Sequence, residues 1–190
     1  LYGMKQVHTG VELDFTARAT NRLRVNGMLS VGNWKYEGDV RADYFDNDQS
    51  PILDDNGNPR SAVLGLDGVK VGDAPQLTAS LGADFEVLRN LKLDANYRYV
   101  DQLYADFDPT RVGASGFEAL QLPSFSLFDA GAGYTLNLGE NSLNFRINVN
   151  NIFDTLYISE ADTNDLAEEG DVTYDGINVS NRVYFGFGRT

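Results

Sequence analysis

Cysteine is absent from this chain, histidine and tryptophan occur once each, and no apolar run approaches the roughly 20 residues that a membrane-crossing helix needs. Without cysteine there is no disulfide framework, no thiolate metal site and no cysteine nucleophile. The single histidine, His8, excludes a histidine-paired zinc motif, and at the start of a strand it reads as a surface or lumen side chain. Positive charge is also scarce: 15 Lys and Arg stand against 28 Asp and Glu, a net charge of −13. Phosphate backbones need clustered cations, so nucleic acid is excluded as a partner. No glycine-rich phosphate loop follows a strand and opens a helix, and nothing brings Ser, His and Asp together, so the chain is read as no enzyme. The opening residues, Leu1-Tyr2-Gly3-Met4-Lys5, lack the basic-then-apolar order of a secretory signal. If the protein is exported, the chain is expected to be its mature form or a part of it.

What the chain has is alternation. Val7, Thr9, Val11, Leu13, Phe15 and Ala17 fall on one side of a period-two repeat, and His8, Gly10, Glu12, Asp14, Thr16 and Arg18 on the other. Leu77, Ala79, Leu81, Ala83, Phe85 and Val87 repeat the pattern, as do Leu91, Leu93, Ala95, Tyr97 and Tyr99. Period two is the mark of a strand with two unlike faces. Long strands that are apolar on one face and ionisable on the other suit an all-β fold, a transmembrane antiparallel β-barrel.

Seven strands are expected, at 7–19, 23–44, 75–87, 91–105, 125–138, 142–153 and 181–189. Their connections alternate between short (19–22, 88–90, 139–141) and long (45–74, 106–124, 154–180). Short turns on the periplasmic side and long loops outside are the rhythm of an outer-membrane barrel. In the second strand Trp34, Tyr36, Val40 and Tyr44 have the opposite parity to Leu23–Val31. Either a bulge near Gly32-Asn33 absorbs the change, or the strand leaves the bilayer and continues as a hairpin above it. Seven is an odd number and too few to close a bacterial barrel, so the chain is expected to be part of a larger one.

The stretch Phe145-Arg146-Ile147-Asn148-Val149-Asn150-Asn151-Ile152-Phe153-Asp154, followed by Tyr157, resembles the carboxy-terminal end of TonB-dependent outer-membrane receptors. Asn181-Arg182-Val183-Tyr184-Phe185-Gly186-Phe187-Gly188 is similar to the last strand of that family. Gly68-Val69-Lys70-Val71-Gly72-Asp73-Ala74-Pro75 and Leu103-Tyr104-Ala105-Asp106-Phe107 resemble its Bacteroidota branch. The chain departs from the family at Arg189-Thr190, where an aromatic terminus is usual. The resemblance implies that residues 1–190 are the carboxy-terminal portion of a receptor barrel, about the last seven of roughly 22 strands around a plugged lumen. It also implies that the plug, the TonB box and the extreme carboxy-terminus lie outside this chain. The implied function is TonB-coupled import of a scarce nutrient: siderophore-bound iron, cobalamin, or a glycan or peptide. The implied partners are outer-membrane lipid and lipopolysaccharide, the TonB complex through the absent amino-terminal region, and a surface lipoprotein.

Two rival readings are a structural or adhesive barrel that transports nothing and a soluble β-sandwich binding module. The sandwich predicts that the Leu77/Leu81/Phe85 face packs against a second sheet. Among the site residues, Tyr44, Phe45, Tyr104, Phe107 and Phe117 are candidates to face ligand from the upper lumen and loops. Trp34, Tyr36, Tyr97, Tyr99, Tyr134 and Tyr184 are candidates for the aromatic belts at the membrane interface. In the motif Asn150, Asn151, Ile152, Phe153, Asp154 and Tyr157, strand termination is the expected role, with Asn151 and Phe153 continuing the outward face. The acidic loops, including Asp46, Asp48, Asp162, Asp165 and Asp175, read first as solvated, mobile turns. No cofactor is implied. Structural calcium at Asp54, Asp55, Asn56 and Asn58 is the alternative, since hard cations take carboxylate and carbonyl oxygens.

Overall fold

A computed structural model describes residues 3–164, 168–174, 176–178 and 181–190; Asp165 and Asp175 lie outside them. The strands, in chain order, are β1 (Gln6–Arg18), β2 (Leu23–Tyr36), β3 (Val40–Asp43), β4 (Ser61–Leu64), β5 (Leu77–Leu88), β6 (Leu91–Asp101), β7 (Phe125–Leu138), β8 (Asn141–Val149), β9 (Ile158–Asp162), β10 (Thr173–Tyr174), β11 (Ile177–Asn178) and β12 (Arg182–Phe185). Strands β1, β2, β5, β6, β7 and β8 form one antiparallel six-stranded sheet in that order.

Register carries the two-faced pattern across the sheet. Leu13 lies opposite Leu29, which lies opposite Ala79; Leu81 faces Tyr97, Tyr97 faces Phe128, and Ala132 faces Ile147. The apolar parity switches from odd to even between β6 and β7, where Gln102 takes a φ of 51° after the last residue of β6. No second sheet covers the apolar side among the described residues: Leu13 is 62% exposed, Leu81 52% and Ile147 71%. An uncovered apolar face of this extent needs lipid to cover it, which removes the β-sandwich reading.

On the opposite face charges pair across strands. Arg146 Nη2 donates to Asp94 Oδ1 at 2.9 Å and Oδ2 at 3.0 Å, and Arg98 approaches Asp129 at 3.9 Å. Asp94 and Arg146 belong to β6 and β8, with β7 between them, and they meet because β7 offers glycine there. A Cβ on Gly131 would stand 2.6 Å from Asp94 Oδ2 and 2.8 Å from Asn148 Oδ1.

Six long strands form the sheet, not seven. The expected last strand, 181–189, contributes β12, which pairs with β9. At its end Asn150, just after β8, and Thr190 exchange backbone hydrogen bonds at 2.8 and 3.2 Å. The expected second strand, 23–44, ends at Tyr36 with no bulge, since its register with β1 runs unbroken to Gln6↔Tyr36. β2 outruns β5, whose pairing stops at Val31↔Leu77, and the chain continues as the β3–β4 hairpin. Even-numbered Trp34 and Tyr36 thereby stay on the polar face.

The buried core lies in the loops. Tyr36, Val40, Leu64, Leu66, Val69, Phe107 and Val112 form one cluster, and Leu103, Ala105, Leu122, Ile158, Ala161 and Ile177 a second. Residues 102–124 contribute to both clusters and tie the loop before β5 to the loop after β8. Parallel backbone pairing reinforces the second join: Asp106 N donates to Ala161 O and Thr163 N to Asp106 O, at 2.8 and 2.9 Å. The loops are thus packed where these clusters run, while Asp46, Asp48 and Asp162, among the acidic residues expected to be solvated, are exposed.

Candidate functional site

Gln76 fixes how this loop cap is mounted on the sheet. Where β2 outruns β5, Gly32 N donates to the Gln76 carbonyl at 2.6 Å. One row further, Trp34 N donates to Gln76 Oε1 at 3.0 Å and Gln76 Nε2 donates to Trp34 O at 2.8 Å. The side-chain amide thus stands in for a strand backbone, and Gln76 is only 1% exposed. Beyond it, Tyr36 N donates to Val69 O and Val71 N to Trp34 O, so residues 69–71 take over as the partner of β2.

The hairpin tip is built from two copies of one turn. In 45–51, Asp46 Oδ1 accepts from Asp48 N and Ser50 N at 2.9 and 2.8 Å, Gln49 has a φ of 60°, and Phe45 bridges Pro51. In 53–59, Asp54 Oδ1 accepts from Asn56 N and Asn58 N at 2.9 Å each, Gly57 has a φ of 80°, and Leu53 bridges Pro59. Three residues join the turns in a closed ring: Tyr44 N donates to Arg60 O, Arg60 N to Ile52 O, and Ile52 N to Tyr44 O, at 2.9, 2.7 and 2.9 Å. The repeat of Asp and Pro at the same spacing is visible in the sequence and is a signal that sequence reasoning missed. The Asp54-Asp55-Asn56-Gly57-Asn58 segment is thereby a self-satisfied turn matching its neighbour. Its Asn58 and Asn56 N–H groups hold the Asp54 carboxyl below the usual carboxylate range. Among the described residues no three acidic or histidine side chains are arranged to hold a metal ion.

The five ligand-facing candidates separate. Phe107 is 4% exposed, at 5.8 Å from Tyr36 and 4.7 Å from Phe117 between ring centroids. It is a core residue and offers no face to a ligand, because the cap needs its ring to fill the first cluster. Tyr104 and Phe117 line one open cleft of about 560 Å³ together with Asp67, Lys70, Glu118 and Gln121. Tyr44 and Phe45 are exposed at the hairpin tip outside that cleft, with Arg60 stacked 5.4 Å above the Tyr44 ring. Burial, then the charge of Asp101, raises the Tyr104 phenol above its ordinary pKa. Where the three loops meet, burial raises the Asp73 carboxyl, and the charges of Asp106, Glu160 and Asp162 raise it further.

The aromatic-belt candidates also separate. Tyr97, Tyr99 and Tyr134 lie on the apolar face, Tyr134 beside Leu91 at the short-turn end and Tyr99 toward the loops. The distance along β6 from Leu91 to Tyr99 is about 26 Å at the usual strand rise. Tyr36 is 8% exposed within the cap, and Trp34 stacks on His8 at 5.2 Å on the polar face. Neither meets the lipid side, because their parity serves the loop core and the lumen. Tyr184 is exposed in β12, and Ser159 Oγ donates to its carbonyl oxygen.

In the motif, alternation stops at Val149. Asn151 adopts a φ of 49°, is 4% exposed, and does not continue the outward face. Its N–H donates to Asp129 Oδ1, its Oδ1 accepts from Thr155 N, and its Nδ2 donates to the carbonyls of Thr155 and Phe187. Ile152 N donates to Phe128 O, and Asp154 Oδ1 accepts from Arg189 N at 2.8 Å. Asn150 makes the backbone pair with Thr190. Phe153 is 75% exposed beside Phe128, and the Tyr157 ring lies over Gly186, where a Cβ would clash with it. The motif thus ends β8 and holds the final segment against it.

Residues 5–152 match the family described as TonB dependent receptor-like, beta-barrel. Among solved structures the chain is similar to the closed form of the ferric-catecholate import receptor Fiu from E. coli K12. The TM-score is 0.57 at 17% identity, over 98% of this chain and 20% of that one. The likeness shows a shared fold, and the chain spans about a fifth of that receptor's length. No curated protein matches the chain. An open antiparallel sheet that is apolar on one face and charged on the other, with packed loops at one end, agrees with the family match over 5–152: the chain belongs to the TonB-dependent receptor β-barrel family.

Proposed function

We propose that this chain forms wall and outer loops of a bacterial outer-membrane receptor that imports a scarce nutrient with TonB-coupled energy. The observation that carries the reading is the uncovered apolar face running in register across six strands, with ion pairs on the opposite face. Lipid covers the first face and the lumen receives the second. The packed loops face outside, where the Tyr104–Phe117 cleft and the hairpin tip with Tyr44 and Phe45 meet arriving ligand. The coupling segment and the plug belong to parts of the receptor outside residues 1–190, as does the contact with TonB. A surface lipoprotein would sit on the loop cap.

The substrate classes that suit such a receptor are iron chelates, cobalamin and oligomeric glycan or peptide. Ferric-catecholate import is the stated role of the solved relative, and iron chelates are therefore the first class to test here. The experiment is uptake of radioactive iron chelates, labelled cobalamin and labelled oligomers by the host, by a strain deleted for the gene, and by a strain without a working TonB complex. Loss of uptake of one class in both mutants supports the proposal. Unchanged uptake of all three, with the protein present in the outer membrane, would leave the structural or adhesive barrel in its place.

A further inference from the structure

Asparagine followed by glycine occurs twice in the chain, at Asn26-Gly27 and Asn56-Gly57, and the fold treats the two pairs oppositely. Such a pair carries its own chemistry, because glycine has no Cβ to keep its backbone nitrogen away from the asparagine side-chain carbonyl carbon. Asn26-Gly27 lies inside β2, where register holds the glycine between Phe15 on β1 and Leu81 on β5. Gly27 is buried with the Phe15 ring over it. Asn56-Gly57 lies in the open at the hairpin tip. Both residues are exposed, and a Cβ on Gly57 would meet nothing within 4 Å. The Asn56 side chain makes no hydrogen bond among the described residues. The Gly57 nitrogen is restrained by the turn itself, donating to Asp54 O at 3.0 Å.

The neighbouring turn supplies the comparison. Asp48-Gln49 occupies in 45–51 the place of Asn56-Gly57 in 53–59, and Gln49 N donates to Asp46 O at 3.0 Å just as Gly57 N does to Asp54 O. Gln49 holds the left-handed conformation at a φ of 60°, so the turn does not demand glycine at this place. The backbones match and the chemistry differs. The first turn offers a carboxylate, which resists attack by a nitrogen nucleophile, and its nitrogen belongs to a residue with a side chain. The second turn sets a neutral amide beside an unshielded nitrogen.

We infer that Asn56-Gly57 is a self-modification site, at which the second turn converts to isoaspartate and opens while the first stays closed. The Gly57 nitrogen attacks the Asn56 side-chain carbonyl carbon. The new N–C bond forms, the proton on that nitrogen passes to solvent, and the side-chain amide nitrogen leaves as ammonia. Water then opens the cyclic imide. Opening at the backbone carbonyl routes the chain through the side-chain carbon and leaves a free carboxylate where the carbonyl stood. The link from residue 56 to 57 is then longer by one methylene. Asp54 Oδ1 accepts from Asn56 N and Asn58 N at 2.9 Å each, and the lengthened link cannot keep both. The new carboxylate also stands beside Asp54 and Asp55, and its repulsion favours the open turn. The inference is independent of what the receptor transports.

The test uses the full-length receptor in outer-membrane vesicles, incubated in mildly alkaline buffer made with oxygen-18 water. Peptides are mapped by mass spectrometry with fragmentation that separates isoaspartate from aspartate. Conversion at Asn56 is expected to run roughly tenfold faster than at Asn26, or faster still, with isoaspartate as the main product. Equal rates at the two sites overturn the inference. In receptor unfolded by heating in urea the two sites are expected to react alike, and a difference that persists there belongs to sequence alone and overturns it too. D48N/Q49G is expected to gain a reactive site at position 48, and N56D/G57Q to fall to the level of the Asp48-Gln49 pair. A transferred pair that stays inert would mean that the shared turn does not admit the reaction, and the inference fails. Hydrogen exchange then compares converted with unconverted wild type: protection of the residue 58 amide is expected to be lost and that of the Ser50 amide kept. Conversion with the residue 58 amide still protected overturns the opening of the turn.

Discussion

At the residue scale the cap is governed by side chains that replace backbone and by charges that oppose one another. Asp73 is the clearest case of the second kind. Burial raises its carboxyl above the ordinary 3.8, with Asp106, Glu160 and Asp162 adding to the shift. A carboxyl whose folded pKa exceeds its unfolded value binds its proton more tightly in the folded chain. Folding is therefore weakened at neutral pH and regains stability as pH falls through the raised value. Asp73→Asn is expected to tighten the loop junction at neutral pH and to match the parent below 3.8, read as hydrogen-exchange protection around residues 104–106 and 160–162. Asp54 has the opposite sign, since its lowered carboxyl gives stability that is present above 3.8 and lost as pH falls through the folded value. Gln76 is of the first kind and was not legible. An isolated glutamine before a strand carries no signal that its amide will pair with Trp34, a residue 42 positions earlier.

At the element scale, legibility followed the reach of the forces. Strands such as Leu77–Leu88 are written in their own alternation, because each side chain needs only to know which face it is on. The extension of β2 was harder. Trp34 and Tyr36 break the parity of an apolar-outward strand, and the break reflects a partner, Phe107, far along the chain. The hairpin alternative was written in the sequence, but which residues it would bury was not. The family motif was legible as a strand end and not as a latch, because its acceptors on Phe187 and its donor on Arg189 arrive from the last segment. Asn151→Ala is expected to leave Thr155 N–H and the Thr155 and Phe187 carbonyls without the side chain that ties them together, in a left-handed backbone position, costing about 2–3 kcal/mol. Exchange protection over residues 185–190 would drop with it. Asn150→Ala removes one exposed side-chain contact, to Thr190, and is expected to change little. Equal loss in both variants would mean that the side chain of Asn151 is not what holds the segment.

At the scale of the whole molecule, the face that carries membrane contact is the one with least protein packing, and the loops carry the core. A charge on one side of the same strand should therefore cost far more than on the other. Leu81→Arg lies at mid-strand on the exposed apolar face and is expected to destabilise the membrane-inserted receptor by about 2–4 kcal/mol. Ser80→Arg, one residue away on the polar face, is expected to be tolerated, and urea unfolding from lipid vesicles compares the two. Equal costs would mean that the sheet is not oriented as its parity indicates. The three-way ring at Tyr44, Ile52 and Arg60 has its own bearing on the outer surface. Each eight-residue petal enters and leaves the ring at adjacent points, so removing 53–60 leaves Tyr44 and Ile52 able to pair as the end of an ordinary hairpin, and removing 45–52 does the same for Tyr44 and Arg60. Either deletion is expected to keep β3 and β4 protected from exchange, whereas deleting half a petal unravels them. A loop so constructed can lengthen or shorten in whole steps, leaving the sheet below it untouched.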